Sequence, residues 1–269
     1  MRIVSYRRDD GQVRFGFVDR TSVIDAGTDL DALHPGSARG TVVGSVEEIA
    51  LLAPIPKPGK VICVGRNYAE HAAETGSDVP DRPELFAKFA NAIVGPNDDV
   101  VHPPITEALD YEAELVAVIG RRASQISEAR ALDFVLGYTC GNDISARDLQ
   151  FGDTQWLRGK SLDTFAPMGP WIVTADELDG RDTRLRCWVN GELRQDARTT
   201  ELIFDIPTLI ETCSRGITLY PGDVIATGTP AGVGMGLNPP RWLAHGDVVR
   251  IEIDGIGALQ NRFVNEVPA

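Results

Sequence analysis

The stretch 109-LDYEAELVAVIG-120 puts two glutamates into what otherwise reads as a β-strand bound for the interior. Side chains alternate between the two faces of a strand, so Glu112 and Glu114 project from one face, with Val116 and Val118 further along it. The other face carries Tyr111, Ala113, Leu115, Ala117 and Ile119. A strand that is apolar on both faces is covered on both faces. Two like charges one pleat apart on a mostly dry surface raise each other's pKa and destabilise the fold unless something positive neutralises them. The candidates are a lysine or arginine, a shared proton, or a metal ion. The competing reading is a solvent-facing edge with two ordinary surface charges.

Outward from this strand the chain reads as α+β and mostly β. Residues 1–57 look like a small β-rich N-terminal domain: "QVRFGFVD" alternates after the Asp10-Gly11 turn signal, "SVEEIALLAP" suggests a short helix, and "PIPKPGK" is a proline-punctuated linker. From "KVICVG" onward, residues 58–269 change to long apolar strands separated by glycine and proline. Asn190-Gly191 and Asp254-Gly255 mark two further hairpins. Helices are expected in "NYAEHAAETG" with Gly76 as terminator, in "SEARALDFV", and in "DIPTLIETCSRG" with Asp205 as cap and Gly216 at its end.

At 269 residues the chain suits one large domain, or a small one joined to a larger. A net charge of −13 argues against a nucleic-acid or acidic-membrane partner, because a polyanion would be repelled. No apolar run approaches the length of a membrane span and "MRIVSYRRDD" lacks a signal-peptide core, so the expected location is cytoplasmic. Cys63, Cys140, Cys187 and Cys213 form no C-x-x-C pair and read as small buried hydrophobes with free thiols.

A third carboxylate can join the glutamates. "FVLGYTCGNDIS" is a strand that delivers Asp143 to a strand-to-helix corner, where alone it reads as a turn or capping residue. With Glu112 and Glu114 it completes three hard oxygen ligands, the set Mg2+ or Mn2+ prefers; zinc is disfavoured for want of histidine or cysteine at ligand spacing. His71 and Glu74 stand at i, i+3 on one helical face, an arrangement that can orient an imidazole to activate water, or else an ordinary surface pair. His34, His102 and His245 have no carboxylate at helical spacing and read as structural or surface. Lys160, in a stretch too irregular for a regular element and too apolar for an exposed loop, could neutralise an anionic substrate. In "GDVIATGTPAGVGMG", backbone N–H groups and the Thr229 hydroxyl could cradle a carboxylate, and the G-x-G there lacks the frame of a dinucleotide site.

Seven segments, in order over residues 60 to 235, together resemble the fumarylacetoacetate hydrolase family in its short-chain, acylpyruvase-like and 2-hydroxyhepta-2,4-diene-1,7-dioate isomerase-like branch. They are "VGRNYAEHAAE", "LFAKFANAIVGP", "DYEAELVAVIG", "GYTCGNDISARDLQ", "RGKSLDTFAPMGP", "VNGELRQ" and "PGDVIATGTPAGVG". The resemblance implies a mixed β-sandwich roll, a homodimer, and Mg2+ or Mn2+ held by Glu112, Glu114 and Asp143. It also implies a water-activating pair at His71 and Glu74 in a lid segment, and a substrate-binding lysine at Lys160. Thr229, Arg66, Lys88 and Gln150 match pocket positions. One departure is Asn67-Tyr68 where long-chain fumarylacetoacetases have Asp-Tyr, which removes a further carboxylate and points to a shorter substrate.

The activity so implied is metal-assisted cleavage of the carbon–carbon bond of a 2,4-dioxo acid (an acylpyruvate) to pyruvate or another 2-oxo acid plus a carboxylate. Three alternatives stay open: decarboxylation of oxaloacetate, isomerisation or tautomerisation of a hydroxymuconate-like diacid, and a non-catalytic module stapled by its metal. The His71–Glu74 pair weighs towards hydrolysis, because decarboxylation needs no attacking water.

Overall fold

The computed structural model describes residues 1–30, 33 and 40–267, and His34 therefore lies outside the described residues. Strands dominate, arranged as one large mixed sheet, a five-stranded sheet and a two-stranded ribbon. The central strand Ala113–Ile119 is buried along its whole length. It pairs antiparallel with Val135–Asn142 on one side and with Val224–Ala226 on the other. Its alternation divides the interior in two. Ala113, Leu115, Ala117 and Ile119 join Leu185, Cys187, Ile251 and Ile253 of the five-stranded sheet in one core. Val116 and Val118 join Ile3, Val61, Cys63 and Ile172 in a second core on the opposite face. The strand is covered on both faces, as its composition requires.

The β-rich N-terminal segment forms strands at Arg2–Arg7, Val13–Asp19, Ser22–Gly27 and Val42–Ser45. They extend the large sheet, because Arg2–Arg7 pairs antiparallel with Ala166–Thr174. The expected helix in "SVEEIALLAP" is a correction. Glu48 N and Ile49 N both donate to Ser45 O, closing a single turn. Leu51 and Leu52 then go extended and pair with Tyr6 and Ser5. The sheet edge offers these leucines backbone partners and a core, and that outweighs local helix preference.

The hairpin signals hold. Asn190 (φ 53°) and Gly191 (φ 82°) both take the left-handed conformation that a type I′ turn needs, between Arg184–Val189 and Glu192–Arg198. Asp254-Gly255 lies between Val248–Ile253 and Gly257–Asn265. Helix Ile206–Ser214 starts at Asp205, whose side chain accepts from Thr208 N at 3.0 Å, and ends just before Gly216. Helix Ala69–Glu74 stops at a turn in which Gly76 has φ 66°. "SEARALDFV" makes only one α-turn, Glu128–Ala131, before a tighter turn leads into the next strand. No helix among the described residues is long and apolar enough to cross a membrane.

Candidate active site

Sheet register builds the site. Ala113 sits opposite Asn142 and Glu114 opposite Gly141, which carries Asp143 to the level of Glu112. Two bonds lock this corner: Asp143 N donates to Glu112 O at 2.9 Å, and Glu112 N donates to Asn142 Oδ1 at 3.0 Å. One carboxylate oxygen from each of Glu112, Glu114 and Asp143 lies within 4.8 Å of the others, and all three residues are buried.

Cations surround this triad. Lys160 Nζ lies 2.7 Å from both Glu112 Oε2 and Asp143 Oδ2. Lys160 closes a single helical turn, Leu157–Lys160, where the sequence looked too irregular for a regular element. Its ammonium stands 5.1 Å above the Phe86 ring, and Phe86 in turn packs edge-on against Trp156. Lys88 Nζ donates to Asp143 Oδ1 and to Ile144 O. Arg147 reaches Glu112 Oε1 at 2.6 Å through Nη1 and Asp110 Oδ2 at 2.9 Å through Nε.

Burial raises the Glu112 carboxyl, but Lys160 and Arg147 outweigh it and hold the group below the usual carboxylate range. Glu114 goes the other way: burial, then Asp143 and Glu112, push it well above that range. Burial lowers the Lys88 ammonium, while Asp143 and Glu112 keep Lys160 above the ordinary lysine value against the same penalty.

The triad suits a divalent cation on a direct observation. Oε2 of Glu114 accepts from Gly228 N at 2.8 Å, whereas Oε1 is buried and has no hydrogen-bond partner. A buried carboxylate oxygen without a partner, on a residue clustered with two other acids, is costly unless a hard cation takes it up. The threonine- and glycine-rich loop does cradle a carboxylate through Gly228, and it is the protein's own.

A cavity of about 280 Å³ opens beside the triad, lined among others by His71, Glu112, Arg147, Lys160, Gln150 and Thr229. His71 Nδ1 lies 2.8 Å from Glu74 Oε1. A carboxylate only accepts, so Nδ1 carries the proton and Nε2 is the basic nitrogen. Gln150 Oε1 accepts from Arg147 Nη1 at 3.0 Å, and Thr229 Oγ1 accepts from Gln195 Nε2 at 2.8 Å. Arg66 also lines the cavity, its Nε donating to Glu84 Oε2 at 2.7 Å. Lys88 sits behind the triad instead, beside a narrow recess of about 10 Å³ that Glu114 and Asp143 share.

Asn67, at the departing position, is a buried tie. Its Nδ2 donates to Phe204 O at 2.9 Å and Thr227 O at 2.8 Å, and its Oδ1 accepts from Phe204 N at 2.8 Å. His102 Nε2 meets Thr106 O and His245 Nδ1 accepts from Asn265 N, both away from the cavity. All four cysteines are buried and free. Arg147 and Asp110 escaped the sequence reading. The available signal was Arg147 lying one helical turn before Gln150, which was itself singled out.

A buried acid triad beside a cavity-facing imidazole is equipment for catalysis on a small polar molecule, on a frame of two packed sheets. The chain belongs to the fumarylacetoacetate hydrolase family: the family model for the Fumarylacetoacetate (FAA) hydrolase C-terminal domain matches residues 60–264. It is 48% identical over 237 residues to oxaloacetate tautomerase YisK of Bacillus subtilis (strain 168), covering 86% of this chain and 79% of that protein. The solved 5-carboxymethyl-2-hydroxymuconate delta-isomerase of Mycobacterium smegmatis is similar with a TM-score of 0.83 at 43% identity, covering 99% of this chain and 100% of that one. Fumarylacetoacetate hydrolase of Exiguobacterium antarcticum is similar with a TM-score of 0.88 at 39% identity, covering 99% and 100%. The tautomerase and isomerase names side with an alternative the sequence left open, and less with carbon–carbon hydrolysis.

Proposed function

We propose that this chain interconverts the enol and keto forms of a small 2-oxo dicarboxylic acid, the chemistry of an oxaloacetate tautomerase. The observation that carries this reading is one imidazole facing a cavity that Glu112 and Lys160 also line, in a chain 48% identical to a protein named for the reaction. Glu112, Glu114 and Asp143 would hold the divalent cation, Mg2+ or Mn2+, which when bound supplies positive charge that eases loss of a proton from the carbon beside a carbonyl. His71 takes that proton on Nε2, with Glu74 fixing the ring and stabilising its charged form. In the reverse direction the imidazolium returns the proton to carbon. Lys160 and Arg147 draw the substrate's anionic end towards the triad, while Arg66, Gln150 and Thr229 orient it. Lys88 holds Asp143 in place. The imidazolium then yields its proton to the substrate oxygen, so one proton leaves carbon, one arrives on oxygen, the imidazole is restored and no water is consumed. We propose further that residues 1–57 form an N-terminal domain that shares the large sheet with the rest of the chain, and that the enzyme is a cytoplasmic homodimer.

A second reading, hydrolysis of an acylpyruvate, draws on the same His71–Glu74 pair and on the similarity to a protein named fumarylacetoacetate hydrolase. There His71 would deprotonate water instead of carbon. The test follows two signals from one Mg2+-loaded sample: loss of enol absorbance from freshly dissolved enol oxaloacetate, and release of pyruvate. Accelerated enol loss without pyruvate supports the tautomerase. Rapid pyruvate release from acylpyruvates, with no effect on the oxaloacetate enol, refutes it in favour of hydrolysis. Pyruvate from oxaloacetate itself identifies a decarboxylase.

A further inference from the structure

We infer that Asp110 is a positioning residue that couples the seat of Glu74 to the acid triad. The inference rests on the proposed roles of His71 and Glu74. Asp110 is fully buried and its two oxygens are fully engaged. Oδ1 accepts from Gly234 N at 2.7 Å and from Tyr111 N at 2.9 Å. Oδ2 accepts from Met235 N at 3.0 Å and from Arg147 Nε at 2.9 Å.

The loop pinned through the amides of Gly234 and Met235 is the seat of Glu74. Gly232 N donates to Glu74 Oε2 at 2.9 Å, and Tyr111 Oη donates to Gly232 O at 2.8 Å. The fit leaves no slack: a Cβ on Gly236 would lie 2.3 Å from Glu74 Oε2, and one on Gly232 would lie 2.0 Å from Arg194 O. The arginine held by the other oxygen reaches Glu112 Oε1. One carboxylate thus fixes the loop that aims the His71–Glu74 pair and the guanidinium that steadies a triad member. An imidazole is a more effective base when a carboxylate holds the ring at the right angle, so the loop's position bears on the rate of proton transfer. An asparagine cannot replace Asp110, because its single carbonyl oxygen would satisfy one pair of donors and turn an NH2 group on the other.

The test is a double-mutant cycle on the Mg2+-loaded full chain, with Asp110→Asn and Gly236→Ala each made alone and in a Glu74→Gln background. If Asp110 acts through Glu74, Asp110→Asn lowers kcat about tenfold and that loss of kcat largely disappears once Glu74 is Gln, while its hold on Arg147 shows separately as a raised KM in both backgrounds. Gly236→Ala, which crowds the same Oε2 of Glu74 that Gly232 N holds, should follow the same pattern in kcat. Independent multiplication of the Asp110 and Glu74 effects would overturn the inference. A readout that needs no turnover separates its failure from that of the tautomerase reading: the hydrogen-bonded Nδ1 proton of His71, followed by NMR. That signal should be lost or displaced in Asp110→Asn and in Gly236→Ala. An undisturbed signal in Asp110→Asn would sink the inference whatever the enzyme's reaction. Should Asp110→Asn fail to fold, Asp110→Glu, which keeps the charge but moves it by one methylene, is read in the same cycle and the same spectrum, with the same outcomes.

Discussion

The amide nitrogen of Gly228 lies 2.8 Å from Oε2 of Glu114, and it is the hydrogen bond that stands in for solvent on one oxygen while the other has none. A buried carboxylate half satisfied in this way is poised for a cation. Glu114→Gln should therefore abolish the rise in Tm that Mg2+ or Mn2+ gives the chelator-stripped protein. At 100 times Kd that rise corresponds to about 2.7 kcal/mol. Without metal, Glu114→Gln should be at least as stable as the wild type, because a neutral amide costs less to bury than a carboxylate. Thermal melts with and without metal check both halves.

The same residue sets a pH dependence in the metal-free protein. Burial, then Asp143 and Glu112, raise Glu114 above the ordinary glutamate value of 4.5. Between its unfolded and folded values such an acid is protonated only in the folded state, so stability is full below the unfolded value and falls as pH rises. The limiting slope for one group is about 1.4 kcal/mol per pH unit. Glu112 has the opposite sign: its stabilisation is present above 4.5 and is lost as pH falls towards its depressed folded value. Urea melts in chelator from about pH 5 to about pH 7 should show wild-type stability declining and Glu114→Gln lacking that component. A parallel decline in both proteins would assign the slope elsewhere.

Much of this site is local in sequence. Glu112, one residue before the strand Ala113–Ile119, and Glu114 within it stand two apart along one extended stretch, His71 and Glu74 share a helix face, and Asn190-Gly191 announces its own turn. Each depends on one or two periods of one element, which strand and helix geometry alone resolve. What could not be read depends on register between distant segments. Asp110 meets Gly234 across 124 residues and Arg147 across 37, and nothing near Asp110 sets it apart from an ordinary strand-end acid. The failed helix at "SVEEIALLAP" has the same origin, since the partner of Leu51 and Leu52 is the first strand of the chain. Lys160 was legible as an unusual lysine, but its two carboxylate partners were not.

Asn67 yields a test of the position where the family resemblance implies an acid in long-chain members. Its amide donates to two carbonyls, Phe204 O and Thr227 O, and Thr227 immediately precedes the glycine that holds Glu114. Asn67→Asp would point a carboxylate oxygen at those carbonyls in a fully buried place. Each lost buried bond costs about 1–3 kcal/mol, more with charge present, so the variant should lose about 3 kcal/mol or more in denaturant melts. Its affinity for Mg2+ should fall rather than rise. A gain in metal affinity without loss of stability would show that the added acid can reach the triad.

The last prediction separates the proton-handling pair from the metal ligands. General-base catalysis is typically worth roughly 10²–10⁴-fold, so His71→Ala should lower kcat for enol–keto exchange by about that factor. KM should change little, because Lys160, Arg147 and the triad would still hold the substrate. Glu74→Gln keeps the imidazole but replaces the acceptor of its Nδ1 proton, so the loss should be smaller, about tenfold. Glu112→Ala removes a triad oxygen and also one of the two carboxylates that Lys160 and Arg147 each contact. It should therefore lose both exchange and metal-dependent stabilisation. Solvent-deuterium incorporation at the carbon next to the oxo group provides the decisive readout, because it follows proton transfer whether or not a bond is cleaved. If His71→Ala incorporates deuterium at the wild-type rate, another group is the carbon base and His71 must serve elsewhere. If incorporation and pyruvate release from an acylpyruvate fall together in His71→Ala but separately in Glu74→Gln, then the imidazole serves both chemistries and its orientation selects between them.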